Sequence, residues 1–600
     1  MKSLVKITIY SFFSVLFLLH TSCEGVLDTK LENNYGDDVT WRLPDYALGV
    51  LMNAYANIPA QGNNYNGDFL DAATDNAYSN DKSTNLSQYV MGGISSKSNS
   101  LDNWTNVYNQ FRNIHLFIEK GLGGDVVFLL SDSIRNVRIR ERSLGEAYFL
   151  RAWWGMELLQ RFGGISEDGQ ALGYPIILRN LTEEDKEDLD VMKRNTYEEC
   201  VLQIIEDCDS AYQYLPLIYV GSDEELGIKQ EGRASGRAAL ALQSRVALFG
   251  ASPAYQPQGS YAISQDSIDR KWERVVKLSE RAIQSGTLGA YTALNADMYV
   301  GSSVQGSTHA EFIFRRWFNN NSMEKTNFPP LFFGSGRTNP SQNLVDAFPA
   351  KNGFPITDPR SNYDPQNPYI NRDNRFELTI YYNNKMFNAD RPLEIYTESN
   401  GVKGRDVDGY DLYNTKTGYY LKKFMSPKQD MLYNPATLGA VNDFHQNPLL
   451  RRAEVYYNLA EALNELAGPN GTVAESTRTA YAIIKDIRTK NGINSTTYLD
   501  EVATDKDEFR KLLMNERRLE FAFENIRFYD LRRCLLPLNE SIRGVRITKT
   551  SSGFEYQGTD PDAEPIIIET RKLDHEKYYY LPLPYGETIK NPALIQNKGW

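Results

Sequence analysis

The residues best equipped for chemistry are concentrated near the C-terminal end, in NERRLEFAFENIRFYDLRR. There Glu516, Arg517, Arg518, Glu520, Glu524, Arg527 and Asp530 follow one helical pattern. Two chemistries are open to such a cluster. One is acid–base work, and a glycoside hydrolase needs two opposed carboxylates at a controlled separation. The other is a network of i,i+3 and i,i+4 ion pairs, which perturbs acidities as an active site does. The spacing favours the network, and among 77 Asp and Glu no catalytic pair stands out. The cysteines offer less. Cys200 and Cys208 share a helical pattern, which sets their Cα atoms about 12 Å apart at 1.5 Å per residue, too far for a disulfide. No Cys/His spacing suits a metal and no motif calls for a cofactor. Cys200, Cys208 and Cys534 are expected as small buried hydrophobes.

Tandem indoles at Trp153 and Trp154, in GEAYFLRAWWGMELLQRFGG, are the other conspicuous groups. Projected at about 100° per residue, Leu144, Ala147, Leu150, Trp154, Leu158 and Phe162 share one face. Phe149, Trp153 and Met156 lie opposite. A helix apolar on two sides is buried on two sides, so these rings are expected to be frame rather than ligand platform. Glu157 and Arg161 make an i,i+4 pair, and Gly163-Gly164 ends the helix.

The elements that must hold these groups are mostly helices. Periodicity predicts them over 104–121, 133–162, 196–215, 236–254 and 270–286, then over 448–467, 475–491 and 507–533. Pro448 suits a first turn, and Gly121, Gly286 and Gly468 suit C-terminal caps. The helices come in pairs; RAALALQSRVALFGASPAY and RKWERVVKLSERAIQSG begin near the tetratricopeptide spacing. Residues 24–103 and 287–447 are instead dense in Asn, Gly, Pro, Tyr and Asp, too long for connectors and unsuited to regular helix. The expected fold is mainly α: a tetratricopeptide-like scaffold of helix pairs with an interleaved loop-rich part.

The chain has 600 residues, a net charge of −12 and 38 tyrosines. No basic stripe is present, which excludes nucleic acid as an expected partner. Tyrosine-rich surfaces serve interfaces and carbohydrate sites alike. MKSLVKITIYSFFSVLFLLHTSC has Lys2 and Lys6, an apolar run and then small residues before a cysteine. This is a secretory signal over 1–22. It resembles a bacterial lipoprotein signal, with cleavage before Cys23 and acylation there. His20 departs from the usual aliphatic residue, and cleavage nearby without lipid is the alternative.

Six blocks in order carry a wider resemblance. They are WTNVYNQFRNIHLFIE, GEAYFLRAWWGMELLQRFGGI, GRASGRAALALQSRVALFGASP, RRAEVYYNLAEALNEL, NERRLEFAFENIRFYDLRR and the closing YYYLPLPYGETIKNPALIQNKGW. Together they resemble the SusD/RagB family of surface glycan-binding lipoproteins of Bacteroidetes, over essentially the whole chain. Asn525 stands where the family commonly has glycine, as a left-handed helix end tolerates.

The resemblance implies one unit over 23–600. Its parts are a lipidated N-terminus and first loop-rich segment (23–103), a helical scaffold (104–286), a loop-rich ligand-binding segment (287–447) and a second helical block with the closing segment (448–600). It further implies a surface-exposed outer-membrane lipoprotein, anchored through Cys23, that captures oligosaccharide or polysaccharide without cleaving it. The partner implied is a SusC-like TonB-dependent transporter barrel. Sugars are met by stacked rings and by bidentate Asp, Asn and Arg. Two stretches supply these: Asp71, Asp75, Asn76, Tyr78 and Tyr89 in the first, and Trp317, Phe318, Phe333 and Arg337 in the second. The alternatives are packing beneath loops for the rings and turns or caps for the acids. Alternatives at the level of function are a non-sugar nutrient such as peptide, and a hydrolase.

Overall fold

The computed structural model describes residues 37–600, apart from 60, 61, 63, 125, 296–297, 302–308, 388–390 and 429–440. The signal segment and Cys23 lie outside the described residues.

Side-chain caps set the long helices. Asp132 accepts from the amides of Ile134 and Arg135 to open Ser133–Phe162. Thr196 and Glu199 form a reciprocal capping box on Tyr197–Tyr214, and Ser235 caps Gly236–Ala251. Each cap satisfies amides that a helix start leaves without partners. These helices pack in succession, followed by Gln265–Gln284 and then, across the long excursion, by Arg452–Ala467. Ala480–Lys490 and Lys506–Glu520 close the stack against Arg452–Ala467.

The tandem tryptophans lie inside it. Both are buried. The Trp154 indole donates to the Ala54 carbonyl at 3.2 Å, and Trp153 meets Phe314 edge-on at 5.4 Å. Gly155 makes this packing possible: a Cβ there would stand 2.5 Å from the Tyr174 hydroxyl. Arg161 donates to Glu157 at 3.1 Å, as the spacing requires.

Some boundaries differ from those read in sequence. The Trp104–Leu116 helix widens into π turns over Phe117–Leu122, so Gly121 is inside it rather than capping it. Gln265 begins a helix that was expected from 270, which shortens the repeat. Pro448 belongs to a strand, Asp443–Arg451, at a register shift next to Leu450, and the helix starts only at Arg452. A proline has no amide to lose at such an irregularity. The helical pattern over 507–533 is two helices, Lys506–Glu520 and Ile526–Arg533, parted where Phe523 and Asn525 adopt φ of 64° and 63°. Asn525 is thus left-handed, as its place in the block requires. Cys200 and Cys208 are buried, whereas Cys534 is half-buried.

The loop-rich part has its own core. Phe69, Phe312, Phe328, Phe348, Phe376, Tyr419 and Phe523 belong to one buried cluster, distinct from those under the helices. Phe312–Asn320 pairs antiparallel with Asp443–Arg451, which also takes Val300–Gly301 on its other edge. Ala77–Ser79 pairs with Thr338–Pro340, so the two stretches singled out in sequence meet across a ladder.

Candidate functional site

That ladder carries a surface built from three segments. Asn80 donates its amide to the Arg337 carbonyl at 2.8 Å and its side chain to the Tyr413 carbonyl at 2.9 Å. Arg337 donates to Asp81 at 2.6 Å. Lys416 donates its backbone amide to the Asn339 side chain at 2.9 Å. Gly336, at φ +46°, lets the segments close on one another, since a Cβ there would lie 2.2 Å from the Tyr413 carbonyl oxygen. The result is a charged centre, Asp81 with Arg337, beside exposed apolar groups. Phe333 is 63% exposed, Leu412 75% and Tyr413 50%.

Phe333 is notable for its backbone. It ends a short 3-10 turn over Pro330–Phe332 with φ 64°. A left-handed residue other than glycine costs roughly 1–2 kcal/mol, and glycine follows it directly in sequence. The Phe333 side chain is largely exposed.

The predicted residues of the first stretch face the other way. Asp71, Asp75, Asn76, Tyr78 and Tyr89 are buried. Asp71 accepts from Asn76 at 2.8 Å and from the Phe523 amide at 3.0 Å; burial raises its pKa. Asp75 takes a two-pronged contact from Arg527, at 2.9 and 2.8 Å, and a third from Arg518 at 3.1 Å. Burial works to raise the Asp75 pKa, but the two guanidinium charges outweigh it and hold the carboxylate well below its usual range. Asn76 accepts from Arg518 at 2.7 Å. Tyr89 accepts from Arg532, and Lys82 lies 4.3 Å over the Tyr78 ring. Asp71, Asp75, Asn76 and Tyr89 tie the first stretch to the C-terminal block, whereas the Tyr78–Lys82 contact lies within the stretch itself.

Within the second stretch the structure separates the rings. Trp317, on the Phe312–Asn320 strand, is 43% exposed and sits 5.9 Å from the Phe444 ring of the paired strand. Phe318 stacks on buried His445 at 5.7 Å, and His445 meets Glu324 at 2.8 Å. Phe333 is exposed four residues before Arg337, and Arg337 is tied to Asp81. The loop from Tyr410 to Asn414, which completes the three-segment surface, was not singled out in sequence. Its signal was present in VDGYDLYNTKTGYY, an Asp-Gly turn followed by closely spaced tyrosines.

The acid–arginine block is a buried network. Glu516 meets Arg375 at 2.6 Å and Arg488 at 2.5 Å. Glu520 meets Arg451 at 2.7 Å, and Glu524 meets Arg451 at 2.9 Å and Lys423 at 2.7 Å. Asp530 is shared by Arg517 at 2.9 Å and Arg533 at 2.7 Å. Two acids outside that block are pushed up by burial to about 7, Asp68 and Glu311. Both are sealed from solvent, so neither can reach a substrate. Among the described residues no cluster of His, Cys, Asp or Glu could hold a metal ion, and no helix is long and apolar enough to cross a membrane.

A stack of paired helices bearing a separately cored, loop-rich part defines the architecture of SusD-like proteins. A SusD-like protein of Bacteroides fragilis superposes with a TM-score of 0.67 at 24% identity, covering 94% of this chain and 99% of that one. A SusD-like carbohydrate-binding protein from the same species superposes at 0.65 and 20% identity, covering 92% and 99%. In sequence, the SusD family model matches residues 311–600, and a model described as "Starch-binding associating with outer membrane" matches 42–248. SusD-like protein P2 of Formosa agariphila is 30% identical over 149 residues, 25% of this chain and 24% of that protein. The chain belongs to the SusD family.

Proposed function

We propose that the protein is a non-catalytic, lipid-anchored surface binder of oligosaccharide or polysaccharide that delivers its glycan to a SusC-like TonB-dependent barrel in the outer membrane. The observation that carries the reading is Phe333: an exposed ring at a backbone position that glycine would occupy without strain, four residues before Arg337 in the same segment. A left-handed φ at a residue other than glycine is a strained position, and such positions cluster at ligand sites. The ring offers a stacking face, and Arg337 and Asp81 offer paired hydrogen bonds to vicinal hydroxyls. Trp317 is a second platform on the same loop-rich part. Asp71, Asp75, Asn76, Tyr78 and Tyr89 position the first loop rather than touch the ligand.

Membership of the family and the carbohydrate-binding description of a structural relative support the ligand class. Native gels cast with a panel of plant, algal and host polysaccharides test the reading. Retardation by at least one glycan, with no new reducing ends, is the expected outcome. Reducing ends released at enzymatic rates would establish a hydrolase instead, and retention of peptide alone would establish a non-sugar cargo.

A further inference from the structure

A groove among the helices shares no lining residue with the Phe333 surface. It runs between the loop over 257–263, the start of the Tyr197–Tyr214 helix and the first turns of Gln265–Gln284, with a volume of about 560 Å³. That falls within the ~300–1,000 Å³ typical of small-ligand sites.

Two features of it are open to a ligand. The first is an apolar wall. Tyr261 is 45% exposed, and Pro257 and Ile263 are half-buried beside it. The wall is held in place by its backbone: the Gln258 amide donates to the Gly169 carbonyl at 2.8 Å. Gly169, at φ +95°, permits that approach, since a Cβ there would stand 2.6 Å from the Gln258 carbonyl oxygen. The second feature is a cationic rim. Ser267, Arg270, Lys271 and Arg274 line the groove at i, i+3, i+4 and i+7, one face of the helix. Against three cations the lining sets one acid, Glu198, which is already taken up by Arg274 at 2.5 Å and Lys271 at 3.6 Å. Lys271 also donates to Gln256 at 2.9 Å. Arg270 is the free member of the set. It is exposed and, among the described residues, donates to the Ser267 hydroxyl alone, at 2.8 Å. Like charges at i,i+4 repel, so Arg270 and Arg274 concentrate positive charge on a chain whose net charge is −12.

We propose that this groove binds a small aromatic carboxylate, with its ring against Tyr261 and Pro257 and its carboxylate on the Arg270 guanidinium. The two halves of such a ligand match the two features of the groove. A guanidinium meets a carboxylate through two parallel hydrogen bonds, and a flat ring packs on an exposed tyrosine face. A cation would be repelled by the rim, and a neutral sugar would leave its excess charge uncompensated. The site is independent of the glycan reading and does not rest on it.

Calorimetric titration with 4-hydroxycinnamate, its neutral amide and octanoate tests it, on the wild type and on Arg270→Gln and Tyr261→Ala. Both substituted side chains are exposed, so the variants should melt within about a degree or two of wild type. The expected result is saturable binding of 4-hydroxycinnamate by wild type, with the amide and octanoate each weaker. Arg270→Gln should weaken the acid roughly tenfold and leave the amide unchanged. Tyr261→Ala should weaken acid and amide alike, about fivefold. Acid and amide bound equally by wild type would overturn the proposal, as would acid binding indifferent to both substitutions. Octanoate bound as tightly as the aromatic acid would overturn the aromatic assignment, and failure of the acid to bind wild type would remove the site.

Discussion

At the scale of residues, the ring proposed to meet the glycan and the rings of the frame differ in backbone and burial. Phe333→Gly removes a ring and relieves a left-handed φ together, so glycan affinity should fall about fivefold, ~1 kcal/mol, while the melting temperature holds or rises. Calorimetry and thermal denaturation read the two effects separately. Trp154→Ala should do the reverse. It costs about 3–5 kcal/mol of stability and leaves the affinity of the folded fraction unchanged. Asp68 gives a pH signature. Its folded pKa is raised by burial from the ordinary 3.8 to about 7, despite hydrogen bonds from Ser79 and Thr338. The folded state therefore binds the proton more tightly than the unfolded state, and stability falls as pH rises through that interval. Asp68→Asn keeps a polar group of the same shape without the titration. The melting-temperature difference between variant and wild type should grow in the variant's favour from pH 4 to pH 7, and a constant difference would remove Asp68 from the account.

At the scale of elements, the first loop is held by the C-terminal helices through Asp75, Arg518 and Arg527. Arg527→Met leaves a buried carboxylate short of one partner and should cost about 3 kcal/mol in denaturant titration. A change within 0.5 kcal/mol would show the clamp to be dispensable. The same contacts explain which elements could be read in sequence. The helices over 133–162, 196–215 and 236–254 were legible because period, cap and glycine agree locally. The break between Lys506–Glu520 and Ile526–Arg533 was not, because its cause is distant. The Phe523 amide bonds to Asp71, and the Phe523 ring meets Phe69 edge-on at 5.9 Å. Pro448 was misplaced for a similar reason: the strand it joins pairs with Phe312–Asn320, far upstream. In the candidate site, Phe333 and Arg337 were legible as a ring and a guanidinium in irregular chain. The inward turn of Asp71, Asp75 and Asn76 was not, since the Phe523 amide that Asp71 meets and the arginines that hold Asp75 and Asn76 lie hundreds of residues away.

At the scale of the whole molecule, the proposed surface role needs an anchor. Cys23→Ala should move the protein from the membrane fraction to the soluble fraction, and retention in the membrane would remove lipid as the anchor. The central claim is that the three-segment surface around Phe333 and Arg337 holds a glycan without cleaving it. The most direct measurement is titration of wild type and Phe333→Gly with the best-retained glycan of the panel, followed by reducing-end analysis of the same samples. The account predicts saturable binding by wild type, affinity about fivefold weaker in the variant and no new reducing ends; equal affinity in the two proteins, or release of reducing ends, would contradict it.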